Sequence, residues 1–372
     1  MIRTMRVATA LLFMAGFAAV GAVAQAQDTG KKPKKPKAAA DSLAAATPAK
    51  PKKLPAPPMF ASEKPLELTL TTNIKQIKKD KNAAAPWRTA TISYAGEAGK
   101  RITVPVRVKT RGVWRLQHCD FPPIRIKVAD KAGKGTLLED LDEPKLVTYC
   151  RNLDTYEQYV LQEIQLYRIN RLVTDVSHKV RLVRLSYVDS ASGKVEATRY
   201  SFLIEDPAQV ARRANGAILD QQGATADDLD PDISALAFTF QYFIGNTDFS
   251  FDGLHNGEII TLNDGRNLPV AYDFDFAGAI DAIYAGVDPS LAVRRVRDRQ
   301  FRGYCVHAAA YPKAIAHFVA QKDAIYGLYR DEIGQLLSPA KVKSTLGYYD
   351  NFYGNVKTPK DVQRNLFSTC LK

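Results

Sequence analysis

Period-two alternation runs through residues 65–129 and returns at 180–205, and it constrains the fold more than any other feature. The runs PLELTLTTN, TATISYA, ITVPVRVKTRG and PPIRIKVAD alternate or are β-branched, with Gly, Asp and Pro between them. That is the pattern of half-buried strands. KLVTYC reads as a further short strand. YEQYVLQEIQLYRINRLV then switches to a helical stripe of Tyr156, Val160, Ile164 and Tyr167. VRLVRLSYVD and ATRYSFLIED return to strand on either side of the turn signal DSASG. Beyond them the chain shifts toward helix. DISALAFTFQYFIG is a helix with Asp230 or Asp232 near its start, and GEIITLNDGRNLPVAYDFD is a hairpin across Asn-Asp-Gly. A helical tail follows from Ala308, with Pro312 and Pro339 starting or breaking helices. This order predicts an α+β fold with a strand-rich N-terminal lobe, residues 60–206, and a helix-rich C-terminal lobe, residues 207–372. Together they hold about 310 residues, enough for a sizeable core or two lobes around a cleft.

Residues 1–26 carry the marks of a secretory signal peptide: Arg3 and Arg6, the apolar ATALLFMAGFAAVGAV, then Ala24-Gln25-Ala26. This predicts an exported chain, periplasmic or secreted, with an uncleaved anchor as the alternative. No other run is long and apolar enough to predict a span. Residues 27–59 are rich in Lys, Pro and Ala and predict a disordered linker. It serves either as a solubilising tether or as a weak contact with anionic envelope surfaces. Of the formal charge of +13, the signal carries +2 and the linker +6, which leaves +5 for residues 60–372. That is ordinary for a domain this long and supports no specific nucleic-acid partner. None of the four cysteines lies in a Cys-x-x-Cys pair. An even count in an oxidising compartment points to two disulfides. Of three possible pairings the favoured one is Cys119–Cys150, joining neighbouring strands, with Cys305–Cys370 pinning the tail.

Several polar residues do not suit a plain core. Glu163 points within about 60° of Val160 on the apolar stripe of its helix, and a carboxylate there is costly unless a cation meets it. In IRIKV, Arg125 and Lys127 share one face, so Lys127 is the expected partner, with Lys145 and Glu157 as substitutes in the pair. The alternative leaves both cations in solvent and Glu163 at the edge of the stripe. GNTDFSFDGLHN, Gly245 to Asn256, places Asp248 and Asn256 in a loop after a helix. YDFDFAG, Tyr272 to Gly278, places Asp273 and Asp275 on the same side at the end of a strand. Paired carboxylates of that kind suit Mg²⁺ completed by water and phosphate oxygens. Asx-turn capping is the structural alternative at both loops. RDRQFRG, Arg297 to Gly303, is a basic loop that Asp298 and the acids of YDFDFAG are expected to neutralise internally.

The order of these parts resembles the protein-kinase-like phosphotransferases. It is most similar to the atypical spore-coat H (CotH-like) kinases, with a fainter likeness to HipA-type kinases. KTRGVWRLQHCDFPPIRIKV is similar to that family's Arg-Gly stretch and Lys-bearing strand, GNTDFSFDGLHN to its catalytic loop, and NLPVAYDFDFAG to its metal-binding stretch. The resemblance spans residues 65–280 and implies a two-lobed protein-kinase-like fold. It also implies Mg²⁺ and ATP, or another nucleotide, as cofactors. Asp248 would orient or deprotonate the acceptor hydroxyl, and Asn256, Asp273 and Asp275 would hold the metal. Lys127, braced by Glu163, and Arg111 would meet the phosphates. The implied activity moves a phosphoryl group to a protein or envelope hydroxyl. The chain departs from the pattern in lacking Gly-x-Gly-x-x-Gly and His-Arg-Asp. A catalytically silent, pseudokinase-like binding or scaffold module of the cell envelope is therefore the second expectation. An envelope protein whose acids are turn caps is the third.

Overall fold

The computed structural model describes residues 55–372, apart from 83 and 130. The expected signal peptide and most of the expected linker lie outside the described residues. Seven strands build the first half: β1 (Leu66–Thr72), β2 (Arg88–Ala95), β3 (Arg101–Thr110), β4 (Ile124–Val128), β5 (Lys145–Val147), β6 (Val180–Asp189) and β7 (Val195–Ile204). Among them lie the short helices α1 (Ile74–Lys79) and α2 (Trp114–His118) and the long α3 (Asp154–Val173). The second half holds α4 (Pro207–Arg213), β8 (Gly216–Ile218), α5 (Pro231–Ile244), β9 (Gly257–Leu262) and β10 (Asn267–Ala271). It ends with α6 (Tyr311–Ala320), α7 (Lys322–Gly327), α8 (Pro339–Asn355) and α9 (Pro359–Val362).

The α+β expectation holds. The implied two-lobed protein-kinase-like fold is corrected: the strand-rich half is a closed barrel in the order β1-β2-β3-β4-β5-β7-β6. The ring is closed by parallel pairing of β1 with β6, Leu66 opposite Val183 through Thr72 opposite Asp189. All its other pairings are antiparallel. Closure removes both sheet edges. Inward residues such as Leu70, Val108, Ile124, Phe121 and Tyr187 fill the interior. The barrel is thus a packed core, not a ligand chamber. Met59 is also buried in it, so the folded unit begins inside the segment expected to be linker.

Helix α3 joins the halves. Its residues Tyr159 to Asn170 are all buried. Gln165 Nε2 donates to Leu328 O at 2.7 Å, and Arg168 pairs with Asp331 at 2.6 Å. Helix α5 starts on Pro231, with the Asp230 carboxylate accepting from Ile233 N, and stops at Gly245. Gly245 is required there: φ is 67°, and a Cβ would meet Tyr348 Oη at 1.8 Å. Disulfides join Cys119 to Cys150 and Cys305 to Cys370, the favoured pairing. The first ties the end of α2 to the segment after β5, rather than strand to strand. Among the described residues no helix is long and apolar enough to cross a membrane.

Candidate functional site

The two acid-bearing stretches are bonded to each other at both ends. Tyr272 N donates to Asn256 O at 3.1 Å, and Gly278 N donates to Gly245 O at 3.0 Å. Together they form one wall of a cleft of about 410 Å³. Asp248, His255, Asn256, Asp273 and Asp275 stand on that wall. The opposite side is basic: Arg111 after β3, Arg115 on α2, Arg125 on β4 and Lys145 on β5. Trp114 on α2 and Phe276, rings 6.0 Å apart, meet beside the cleft.

The Asp248 loop is heavily braced. Asp248 Oδ1 lies 2.8 Å from His255 Nε2, and Asn256 Nδ2 donates to Asp248 Oδ2 at 3.1 Å and to its carbonyl at 2.8 Å. Ser250 and His255 exchange two main-chain hydrogen bonds at 2.8 Å. From below, Arg302 Nη1 donates to Thr247 O at 2.6 Å and Phe249 O at 2.7 Å, the carbonyls on either side of Asp248. RDRQFRG is internally satisfied as expected, but not by the acids of YDFDFAG. Arg299 donates to the Tyr242 and Phe243 carbonyls at the end of α5, where exposed carbonyls attract cations. Arg295 pairs with Asp298, and Arg297 with Asp281.

In YDFDFAG the two acids share a side, but Tyr272 and Phe276 line the cleft with them and only Phe274 turns away. Phe274 packs on Tyr167 and Phe240, with ring centres at 4.6 and 5.2 Å. That turns Asp273 and Asp275 into the cleft. Asp273 N donates to Tyr167 Oη at 2.8 Å. Both Asp273 (φ 62°) and Asn256 (φ 49°) hold left-handed backbone, a strain that clusters at functional sites. Asp275 is buried, and its Oδ2 has no hydrogen-bond partner. Burial and the neighbouring Asp273 push its carboxyl up to about 7, against the pull of Arg115 4.0 Å away.

Five of the seven predicted residues therefore meet in the cleft: Arg111, Asp248, Asn256, Asp273 and Asp275. Glu163 lies against it, only 1% exposed, with Oε1 unpaired. Burial and then the charges of Asp275 and Asp273 raise its carboxyl well above the usual range, and Arg115 and Arg111 oppose them. It is neither at the edge of the stripe nor paired with Lys127. The Lys127 expectation is corrected. Its side chain is 52% exposed and pairs with Glu143 at 3.1 Å on the outer face of the barrel. Arg125 and Lys127 do share a face, but Lys127 is two residues, about 7 Å, further along the strand.

The lysine in the cleft is Lys145, which sequence reasoning held only as a substitute. It sits directly opposite Arg125 in the β4–β5 ladder, an arrangement of like charges that favours an anion between them. Its side chain is 12% exposed, and the ammonium stands 3.9 Å from the Tyr272 ring centre and 4.0 Å from Glu258 Oε1. Burial, then Arg111, bring it down to about 8. Arg115, His255 and the bracing role of Arg302 were missed. Arg115 lies on a five-residue helix, too short to show periodicity.

Among the described residues no group of three or more His, Cys, Asp or Glu side chains is arranged to hold a metal ion. Two Asp and one Asn do match Mg²⁺ bound together with phosphate, which needs only one or two carboxylates from the protein. The unpaired Asp275 Oδ2 fits that donor set. No protein-family model matches the chain, and no curated protein matches it.

Proposed function

We propose that the cleft is a phosphoryl-transfer site of the protein-kinase-like type, taking Mg²⁺ and ATP or another nucleotide and a hydroxyl acceptor on a protein or envelope component outside the cytoplasm. The observation that carries this reading is the meeting of Asp248, Asn256, Asp273 and Asp275, from two separate loops, opposite four cations in one cleft. Phosphoryl transfer asks little covalent chemistry of a protein; it needs positioning and charge neutralisation. Lys145, Arg111, Arg115 and Arg125 supply positive charge for phosphate oxygens, so Lys145 takes the role expected of Lys127. Asp248, fixed by His255 and Asn256, orients the acceptor hydroxyl and accepts its proton. Asp273 and Asn256 would hold Mg²⁺, which neutralises charge on the transferred group. Asp275, already facing Arg115, supports them from behind. The two disulfides and the signal-like N-terminus support an exported setting.

The catalytically silent binding module is the second reading. It is favoured by the Asp248 carboxylate, both of whose oxygens are already within hydrogen-bonding distance of side chains.

The test is thermal melting of the oxidised chain with Mg²⁺ and ATP, with Mg²⁺ alone and with neither, for wild type and Asp273→Ala. At a hundredfold excess over the dissociation constant, nucleotide stabilises the wild type by about 2.7 kcal/mol, and Asp273→Ala abolishes the rise. An unchanged melting temperature in the wild type overturns ATP as the ligand. Binding without transfer to any hydroxyl acceptor selects the silent module.

A further inference from the structure

We propose that Glu258 is the carboxylate that holds the Lys145 side chain toward the cleft, in place of the expected helix carboxylate Glu163. The proposal rests on reading the cleft as a phosphate-binding site, but the anchor itself is testable without any phosphate.

Lys145 lies on a strand of three residues, so its backbone alone constrains it little. Among the described residues its ammonium makes no hydrogen bond within the protein. Its neighbours are the Tyr272 ring and Glu258 Oε1. Three N–H donors thus remain for whatever enters the cleft. Glu258, on β9, turns its other oxygen, Oε2, toward His178 Nε2 at 3.8 Å. Both of those atoms are buried without a hydrogen-bond partner. Burial without a partner is costly, and two such atoms facing each other beside one ammonium need a shared explanation.

The imidazole is held rigidly. His178 Nδ1 is 2.9 Å from Glu205 O. A carbonyl only accepts, so Nδ1 carries the hydrogen and Nε2 presents its lone pair to Glu258. Glu205 is itself locked by Arg213 at 2.7 and 2.8 Å and by Lys179 N at 3.0 Å. A bare nitrogen behind a carboxylate leaves Glu258 no donor on that side, so its counter-charge is the ammonium in front. Glu163 makes no ion pair with Lys145, and the cations whose charge acts on it are Arg115 and Arg111. The charged contact that orients Lys145 is therefore the Glu258 carboxylate alone, 4.0 Å from the ammonium. It restricts a flexible side chain before the ligand arrives, which lowers the ordering cost of binding. Glu258 is a positioning residue.

Glu258→Gln separates this account from plain electrostatics. A carboxylate near the cleft repels anions, so removing its charge should by itself tighten anion binding. Loss of an anchor should weaken it. Two readouts are taken on the full oxidised chain: the acetylation rate of individual lysines by mass spectrometry, and titration with tripolyphosphate without metal. In Glu258→Gln the released Lys145 acetylates at least threefold faster while Lys127 is unchanged, and tripolyphosphate binds about tenfold more weakly. Glu258→Asp, which keeps the charge on a shorter arm, moves both readouts in the same direction and covers the case in which the Gln variant does not fold. An unchanged Lys145 rate, or tighter tripolyphosphate binding in Glu258→Gln, overturns the anchor. A faster Lys145 rate in a protein whose wild type binds no tripolyphosphate upholds the anchor and overturns the phosphate reading.

Discussion

The barrel interior and the floor of the cleft are both buried, yet they treat polar atoms in opposite ways. Several polar groups in and around the barrel are closely paired, although Arg181 Nε on β6 is buried without a partner. Tyr187 Oη lies 2.7 Å from Ser201 Oγ, and Asp80 is gripped by two Arg88 nitrogens at 3.0 Å. At the cleft, Arg111 Nε, Arg115 Nε, Glu163 Oε1 and Asp275 Oδ2 are buried with no partner. Unpaired buried charge costs stability. Unpaired atoms also occur away from the cleft, at Arg171, Arg181 and Gln241, but four of them gather where the two loops converge, as the proposed phosphate site requires. Stability given up at a site of this kind is a common cost of function.

The largest expected effect lies on the barrel side. Phe121 is fully buried between Tyr149 and Tyr187, with ring centres at 5.4 and 4.7 Å. Phe121→Ala loses about 3–5 kcal/mol in denaturant unfolding. On the proposed reading the folded fraction keeps the wild-type affinity for nucleotide, because Phe121 does not line the cleft.

On the cleft side, a substitution should stabilise instead. Asp275 has a folded-state value raised to about 7 from 3.8. The folded chain therefore holds that proton more tightly than the unfolded chain. The contribution to stability is present below 3.8 and is lost as pH rises through about 7. Asp275→Asn removes the loss. Its melting temperature exceeds that of wild type at pH 8, by about 1–2 kcal/mol in stability, and the difference shrinks toward zero near pH 4. A variant less stable than wild type at pH 8 breaks the contrast between the two regions.

Much of the cleft was legible in the sequence because local patterns survive folding. The spacing in YDFDFAG aimed two carboxylates one way, and Phe274 between them sets that direction by packing inward. The loop after α5 was marked by Gly245, and the hairpin by its Asn-Asp-Gly turn. Closure of the barrel was not legible, since it depends on parallel pairing of β1 with β6, segments more than a hundred residues apart. The choice of lysine failed for a related reason. Alternation told which face of β4 carries cations, but not how far along that face the helical half reaches. Arg125 falls at the cleft and Lys127 beyond it. Lys145, in the short KLV strand, had no periodicity of its own and gained its place from pairing with β4 and β7.

The smallest stability effect is expected at Lys127, whose exposed pair with Glu143 contributes at most about 0.5–1 kcal/mol. That makes it the control for the most direct test of the account, an equilibrium titration of Mg²⁺ and ATP against wild type, Lys145→Met and Lys127→Met. The account predicts that Lys145→Met weakens binding at least tenfold and that Lys127→Met matches wild type. Equal binding by Lys145→Met and wild type, or a loss confined to Lys127→Met, would contradict it.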